Sequence, residues 1–499
     1  MKEETKNNIY GCIAVVGAIL IHFTFGYFYT VANMVPYIMG YMQTLVDTSL
    51  TSQASIWLSA VALGVQGISM PIGGIIANKL GFRLVVALSC ITTSGGVILT
   101  YFTIQKSYIG VVITYSVLLG SGLGLGYSVV LAAASSWFPK RRGLIVGLVV
   151  GGFGLGALVF TPIQTALINP NNVQVDSVTR KFNDPDVLDR LPPAFLILGG
   201  ILLTIQVVGF GLLRPKPKPK RATNSNPCKE GDNPGTNPKR EKPSDEEHQS
   251  AKNNEINISP RQVFRYIDFY LLWLIMFCDI IPVTIITSAY KLFGQKYISD
   301  DRFLSGVATA SALFNAAGRV MWGAIVDRVS FKIPMCTMLL LWSFILITFP
   351  HICLFTGTTL KVFYTIWVLL LFLSLSGTFV IQPAATGALF GPVHMAVNYG
   401  LIFTAFAFGS LLCALVTTFV SSKNAYLVQF TACGLICLFA FCLALWINDR
   451  KMPKRVNFCQ FCTNACSSLR IPEMVPASAE ELEKLNRPNE KSSVKCEEA

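Results

Sequence analysis

Long apolar runs alternate with short polar segments along most of the chain. Most runs reach the ~18–20 consecutive residues that an α-helix needs to cross the hydrocarbon core of a bilayer. Six runs precede a long polar stretch and six follow it. They cover residues 10–37, 55–77, 83–104, 108–135, 143–168, 193–213, 264–290, 303–326, 333–354, 361–390, 395–420 and 424–448. The pattern predicts an all-α membrane protein, in contact with lipids, with twelve transmembrane helices in two six-helix halves.

The polar stretch between the two sets of runs predicts a linker. It is rich in Pro, Lys, Asn, Ser and Glu and nearly free of large apolar residues. Such a segment cannot bury enough apolar surface to offset the entropy of ordering it. We therefore predict an N-terminal half at 1–213, a disordered cytoplasmic linker at 214–262, a C-terminal half at 263–448 and a cytoplasmic tail at 449–499.

Composition agrees with a membrane protein. Only 13% of the 499 residues are charged and 52% are hydrophobic, whereas soluble domains carry about a quarter charged residues. The net charge of +13 lies in short clusters between the apolar runs, such as Lys140–Arg142. Clusters of this kind mark cytoplasmic loops, so we expect no nucleic acid as a partner and place both termini in the cytoplasm. The plasma membrane is the default location.

A ten-residue pattern occurs once in each half, between the second and third apolar runs. The first copy contains Gly74, Asn78, Lys79, Gly81 and Arg83. The second copy contains Gly323, Asp327, Arg328, Ser330 and Lys332 at a constant offset of 249 residues (323 minus 74). Two copies in register indicate duplicated halves, an arrangement used by transporters that bind solute between the halves.

These loops resemble the conformational loop signature of the major facilitator superfamily, with Asn78 and Ser330 as mild departures. A finer resemblance lies in the glycine-rich segment from Gly120 to Gly126, followed by Trp137-Phe138-Pro139. It is similar to the oxalate:formate antiporter and monocarboxylate transporter families. The resemblance implies the major facilitator fold and a secondary transporter of a small organic anion, working by proton coupling or by exchange.

Arg319 is the most informative single position. It lies inside the eighth apolar run, where a permanent charge is tolerated only if it lines a cavity or is paired. Its planar guanidinium group suits a carboxylate, and both resembled families place a substrate-binding arginine here. The alternative is a structural ion pair. Asp279, inside the seventh run, is the expected partner of Arg319 or a group that exchanges a proton during transport.

Two cations of the resembled families are absent. Phe406 and Val31 occupy the positions where those families carry lysines. With one membrane cation, a monoanion or a neutral solute is favoured over a dianion. Tyr29, Tyr127 and Gln382 are further substrate-binding candidates, although hydrogen bonding between helices is the commoner role of such residues.

Three cysteines follow the last apolar run: Cys459, Cys462 and Cys466. Their position beside basic residues fits reversible lipidation, and an unmodified tail is the alternative. We expect no metal or cofactor. An enzyme is disfavoured, because the chain has four histidines and no metal-binding or nucleophile motif within its runs. A nutrient sensor with the same fold that does not transport remains open.

Overall fold

The structure is a computed structural model that describes residues 3–50, 54–171, 173, 182, 184–215, 257–298, 300–419 and 425–449. Within these ranges the chain forms twelve long helices, as predicted. The first six are α1 (Asn8–Val46), α2 (Ser55–Leu80), α3 (Phe82–Thr103), α4 (Tyr108–Ser135), α5 (Arg142–Ile168) and α6 (Pro185–Leu212). The second six are α7 (Ile267–Tyr297), α8 (Asp301–Val329), α9 (Lys332–Thr348), α10 (Gly357–Phe390), α11 (Met395–Phe419) and α12 (Ala425–Trp446).

Eleven of these helices are long and apolar enough to cross a membrane. The twelfth is α8, whose apolar run is interrupted by Asn315 and Arg319. Many large apolar side chains point outward from the bundle, among them Ile68, Ile91, Val207, Phe344 and Phe439. An apolar outer surface on a helical bundle is the arrangement expected when lipid replaces water as the solvent.

Some helices begin before the apolar runs that predict them, and others, such as α1 and α7, extend beyond the end of theirs. The run predicted from residue 193 belongs to a helix that begins at Pro185, capped by the Asp184 side chain, which accepts a hydrogen bond from the Asp186 N–H at 2.9 Å. Helix α8 likewise starts at Asp301, after the capping residue Asp300. Capping residues and the first helical turn are polar, so hydropathy alone does not include them.

The predicted linker lies almost entirely outside the described residues. Its last residues are an exception, because Ile258 donates a backbone hydrogen bond to the Phe390 carbonyl at 2.9 Å. The buried Asn398 side chain donates to the Ile258 carbonyl at 3.1 Å. The chain entering the C-terminal half is thereby attached to the α10–α11 connection. Cys459, Cys462 and Cys466 also lie outside the described residues, and their lipidation stays a prediction.

The two halves meet chiefly along two helix pairs, α5 with α8 and α2 with α11. Small residues allow these helices to approach closely. A Cβ atom placed on Gly147 would lie 2.4 Å from the Arg319 carbonyl oxygen, and one on Gly67 would lie 2.9 Å from the Ala407 Cβ. Close packing through small residues replaces the hydrophobic driving force that helix association lacks in lipid.

The duplicated loops occupy equivalent places, at the α2–α3 and α8–α9 connections. Gly81 and Ser330 both adopt positive φ, at 90° and 69°. Glycine takes this conformation freely, whereas an L-residue does not. We call the side of the bundle that carries both loops the motif face; the charge pattern predicts that it is cytoplasmic.

Candidate functional site

Arg319 is completely buried, with no exposed side-chain surface. Its Nε donates to Asn315 Oδ1 at 3.2 Å, one turn earlier in α8, and its Nη1 donates to the Val150 carbonyl of α5 at 2.6 Å. Its Nη2 lies 3.5 Å from the Tyr29 hydroxyl of α1. A residue of the C-terminal half is thus bound to two helices of the N-terminal half, and it lies where the halves meet.

Aromatic rings enclose the guanidinium group. Its central carbon lies 5.2 Å from the Phe379 ring centre, 5.7 Å from that of Phe153 and 6.0 Å from that of Tyr29. Cations over aromatic faces within about 6 Å are stabilised by the ring quadrupole. Within the described residues, no carboxylate forms an ion pair with Arg319. The positive charge is therefore held by neutral oxygens and rings.

A central cavity adjoins this cluster. Tyr29 and Tyr127, both predicted from the sequence, line it. The other lining residues are Phe28, Leu63, Gln66, Phe153, Phe379, Phe403 and Phe406. Arg319 lies behind this wall, in contact with three of its members. Gln382 is not among the lining residues.

The cavity has a volume of only about 10 Å³, room for a single water molecule. Ring contacts close it: Phe403 stacks on Phe406 with centres 4.6 Å apart, and Tyr127 lies 5.8 Å from Phe153. The centre of the protein is therefore closed in this conformation. A solute larger than water enters only if these rings move.

The expected ion pair between Asp279 and Arg319 is not present. Asp279 is completely buried, and neither of its carboxyl oxygens has a hydrogen-bond partner. It faces Thr378 and Gln382 of α10 and lies near Cys437 of α12. The carboxyl group therefore points into the core of the C-terminal half, whereas Arg319 points toward α5.

Gln382, the remaining predicted substrate-binding residue, belongs to the Asp279 neighbourhood. It is 1% exposed, and both its amide oxygen and its amide nitrogen lack hydrogen-bond partners. The structure thus separates the predicted site residues into two groups. Tyr29 and Tyr127 line the central cavity with Arg319 behind its wall, and Asp279 and Gln382 lie inside the C-terminal half.

The motif face carries direct contacts between the halves. The Asp327 carboxylate accepts hydrogen bonds from the backbone N–H groups of Gly143 and Leu144, each at 2.7 Å, at the start of α5. A carboxylate at a helix N-terminus is favoured by the unpaired N–H groups and by the helix dipole. A Cβ atom on Gly323 would lie 2.3 Å from the Gly143 carbonyl oxygen.

The first copy of the loop makes a different contact. A Cβ atom on Gly74 would lie 2.8 Å from the Val397 nitrogen at the start of α11, so here too the backbones approach closely. Asn78, which replaces the acidic residue, is exposed, as are Lys79, Gly81, Arg83 and Arg328. In the second copy the Asp327 carboxylate therefore binds the start of α5, whereas the first copy contacts α11 through backbone packing.

Two aromatic residues of the site were not singled out from the sequence. Phe153 and Phe379 form the walls around Arg319, and they look like ordinary lipid-facing residues in an apolar run. The position of Phe153 between Gly152 and Gly154 is the signal that could have found it, because glycines on both sides bring neighbouring helices close to the ring. His22, buried with Nε2 unpartnered, packs on Tyr127 with ring centres 4.9 Å apart.

Comparison with known proteins gives one family and several distant relatives. The sequence profile of the Major Facilitator Superfamily matches residues 15–265 and 272–461. The chain is 26% identical over 459 residues to apicoplast pyruvate carrier 1 of Toxoplasma gondii, covering 80% of this chain and 82% of that protein. It is 23% identical to the oxalate:formate antiporter of Oxalobacter formigenes, covering 84% and 86%. Among solved structures, that of the proton:xylose symporter XylE matches with a TM-score of 0.59 at 14% identity, covering 87% of this chain and 95% of that one.

Proposed function

The chain belongs to the Major Facilitator Superfamily, and we propose that it carries a small monocarboxylate across a membrane, with Arg319 as the anchor for the carboxylate group. The family and the fold make it a multi-pass membrane transporter and not an enzyme, as predicted. The substrate, the orientation and the plasma-membrane location remain predictions.

The observation that carries the proposal is a buried cation for which the described residues supply no anion. Arg319 is fully buried, and its partners in the described residues are an amide oxygen, a backbone carbonyl and a distant hydroxyl. Guanidinium has five N–H donors, so two are left over. A buried charge is costly unless it is paired, and a bound carboxylate would complete both its charge and its hydrogen bonds.

Tyr29 offers the route by which a carboxylate reaches Arg319. Its hydroxyl lies 3.5 Å from Nη2, at the outer limit of a hydrogen bond, and its ring lines the cavity. A substrate carboxylate that displaces this hydroxyl exchanges a weak neutral contact for a charge-assisted one. The remainder of the substrate then lies against Phe153 and Tyr127, which favours a small, partly apolar anion.

The relatives support this substrate class. Two proteins that align with most of the chain are named as carriers of organic anions, a pyruvate carrier and an oxalate:formate antiporter. Arg319 is the one buried Lys or Arg among the described residues, and a single cation favours a monoanion such as pyruvate over a dianion such as oxalate. Contact between the halves on the motif face supports alternating access, in which the halves rock about the central site.

Uptake by proteoliposomes tests the proposal. The purified full-length protein is reconstituted, and uptake of labelled pyruvate, lactate, formate and oxalate is measured with and without a pH gradient. We expect uptake of monocarboxylates in preference to oxalate. Replacing Arg319 by Gln removes the positive partner of the bound carboxylate. The binding free energy should fall by on the order of 2–5 kcal/mol, which raises KM by about 30-fold or more.

Lys361→Gln is the matched control. Lys361 forms an exposed salt bridge with Asp300 at 2.9 Å, so its loss removes one positive charge outside the centre and has little energetic effect. Equal uptake by wild type and Arg319→Gln would refute the role of Arg319. Saturable binding of pyruvate without flux would indicate a sensor. Transport of neutral solutes alone would show that the substrate is not an anion.

A further inference from the structure

The segment that joins the linker to α7 is bound to the C-terminal half through its backbone. We call residues 257–266 the strap. Ile258 uses both of its backbone groups: its N–H donates to the Phe390 carbonyl at 2.9 Å, and its carbonyl accepts from the Asn398 side chain at 3.1 Å. Phe390 ends α10, and Asn398 lies in the first turn of α11. The strap therefore crosses the α10–α11 connection, on the motif face.

Apolar side chains anchor the strap as well. Ile258 is 7% exposed and Val263 is fully buried. The Tyr266 ring meets the Phe390 ring edge-on, with centres 6.5 Å apart. Between these anchors the chain forms a turn, in which the Ser259 carbonyl accepts a hydrogen bond from the Val263 N–H at 3.0 Å. Buried apolar contacts and internal hydrogen bonds give a segment local stability, so the strap is part of the helical bundle.

The helix turn that binds the strap also forms a contact between the halves. Asn398 binds the strap, and the Val397 nitrogen beside it would lie 2.8 Å from a Cβ atom on Gly74 of α2. A Cβ atom on Gly400 would lie 2.6 Å from the Pro71 nitrogen, also of α2. Backbones packed this closely tolerate little displacement of either helix. The position of the first turns of α11, and with it the α2–α11 contact, therefore depends on what holds α11 in place.

The Asn398 side chain makes this dependence strong. It is fully buried, and the Ile258 carbonyl is the partner of its amide nitrogen. Neither its Oδ1 nor the Nδ1 of His394, one turn earlier, has a hydrogen-bond partner among the described residues. A buried polar group without a partner is costly. If the strap leaves, the whole amide lacks partners, and the turn gains free energy by moving until Asn398 and His394 reach water.

We propose that the strap is a conformational clamp: bound to Asn398, it keeps the start of α11 on α2 and the motif face closed, and its release opens that face. Because the strap is the C-terminal end of the linker, the linker is attached directly to the contact between the halves. The alternative is that the strap only joins two parts of the C-terminal half and moves with that half. The clamp does not depend on which solute is carried.

Hydrogen–deuterium exchange at the start of α5 distinguishes these two roles. The N–H groups of Gly143 and Leu144 donate to the Asp327 carboxylate of the other half, and the first N–H groups of a helix have no partner within that helix. Their exchange therefore reports the separation of α5 from α8. This is the second of the two main helix pairs between the halves, and it responds to the strap only if the halves separate as units.

Asn398→Ala removes the hydrogen bond between α11 and the strap. In the full-length protein, exchange of the peptide that contains Gly143 and Leu144 should accelerate by about 10-fold, since the closed state loses a buried hydrogen bond. Thr404→Ala is the matched control. It also removes one side-chain hydrogen bond of α11, accepted from Trp273 Nε1 of α7 at 3.0 Å, but it leaves the strap intact. Exchange at Gly143 and Leu144 should then equal that of wild type.

Ile258→Ala tests the clamp from the strap. It removes a buried side chain outside the long helices, so the bundle is expected to fold even if Asn398→Ala does not. Exchange at Gly143 and Leu144 should accelerate by about 3-fold or more, because a weaker strap is released more often.

Exchange that accelerates only in the strap and at the start of α11, with Gly143 and Leu144 as in wild type, would overturn the clamp. Equal acceleration in Thr404→Ala would also overturn it, because any loosening of the C-terminal half would then open the motif face. If Asn398→Ala does not fold, Ile258→Ala decides by the same criteria. Failure of wild type to take up any monocarboxylate would refute the proposed function alone.

Discussion

Asp327→Asn tests whether the contact on the motif face controls the conformational equilibrium. The carboxylate accepts two backbone hydrogen bonds of 2.7 Å from the start of α5, within the range of charge-assisted bonds. Bonds to charged groups contribute about 1.5–3 kcal/mol each, and the helix dipole adds about 0.3–1 kcal/mol. Asp327 is exposed, and the amide oxygen of asparagine still accepts one of the two hydrogen bonds. We therefore expect the substitution to destabilise the closed state of the motif face by about 1.5 kcal/mol. The closed state of the motif face should lose about 10-fold in population.

Hydrogen–deuterium exchange with mass spectrometry measures this opening. The informative peptide covers the start of α11, Met395 to Gly400, which packs on Gly74 and Pro71 and does not touch Asp327. Exchange there should accelerate by about 10-fold if the halves separate as units. Asp184→Asn is the control, because Asp184 caps α6 within one half and Asn caps a helix as well as Asp. Acceleration confined to the start of α5, or equal acceleration in Asp184→Asn, would refute the role assigned to Asp327.

Two further substitutions follow from backbone geometry. Ser330 has φ 69° and ψ −178°, a backbone conformation that is almost restricted to glycine and costs another residue about 1–3 kcal/mol. Ser330→Gly should therefore raise Tm in a thermal-unfolding assay, and Ser330→Ala should not. Gly147→Ala should separate α5 from α8, because its Cβ would lie 2.4 Å from the Arg319 carbonyl oxygen. Pyruvate should then bind at least about 10-fold more weakly. The control is Gly200→Ala, whose Cβ would have no atom within 4 Å and which should bind pyruvate as wild type does.

The spanning helices could be predicted because the bilayer itself sets the length and polarity of each run. The same reasoning found Arg319, since a permanent charge inside an apolar run is an exception that requires a physical explanation. The start of α6 was missed because its cap and first turn are polar and lie outside the run.

The separation of Asp279 from Arg319 could not be predicted from the sequence. The two residues lie at similar depth on consecutive helices, but the direction of each side chain depends on how each helix is rotated about its axis. Helix α7 turns Asp279 toward α10 and α12, and α8 turns Arg319 toward α5. The packing of the glycine-rich face of α5 on α8 fixes the second direction, and that is a property of the assembled bundle.

The most direct test of the central claim is a binding measurement that involves no transport. Isothermal titration calorimetry of detergent-purified protein with pyruvate compares wild type, Arg319→Lys, Arg319→Gln and the control Lys361→Gln. Lysine keeps the charge but loses the planar fork, so we expect an intermediate Kd for it. For Arg319→Gln the Kd should rise by about 30-fold or more, and for Lys361→Gln it should not change. A Kd for Arg319→Gln equal to that of wild type would contradict the assignment of Arg319 as the carboxylate anchor.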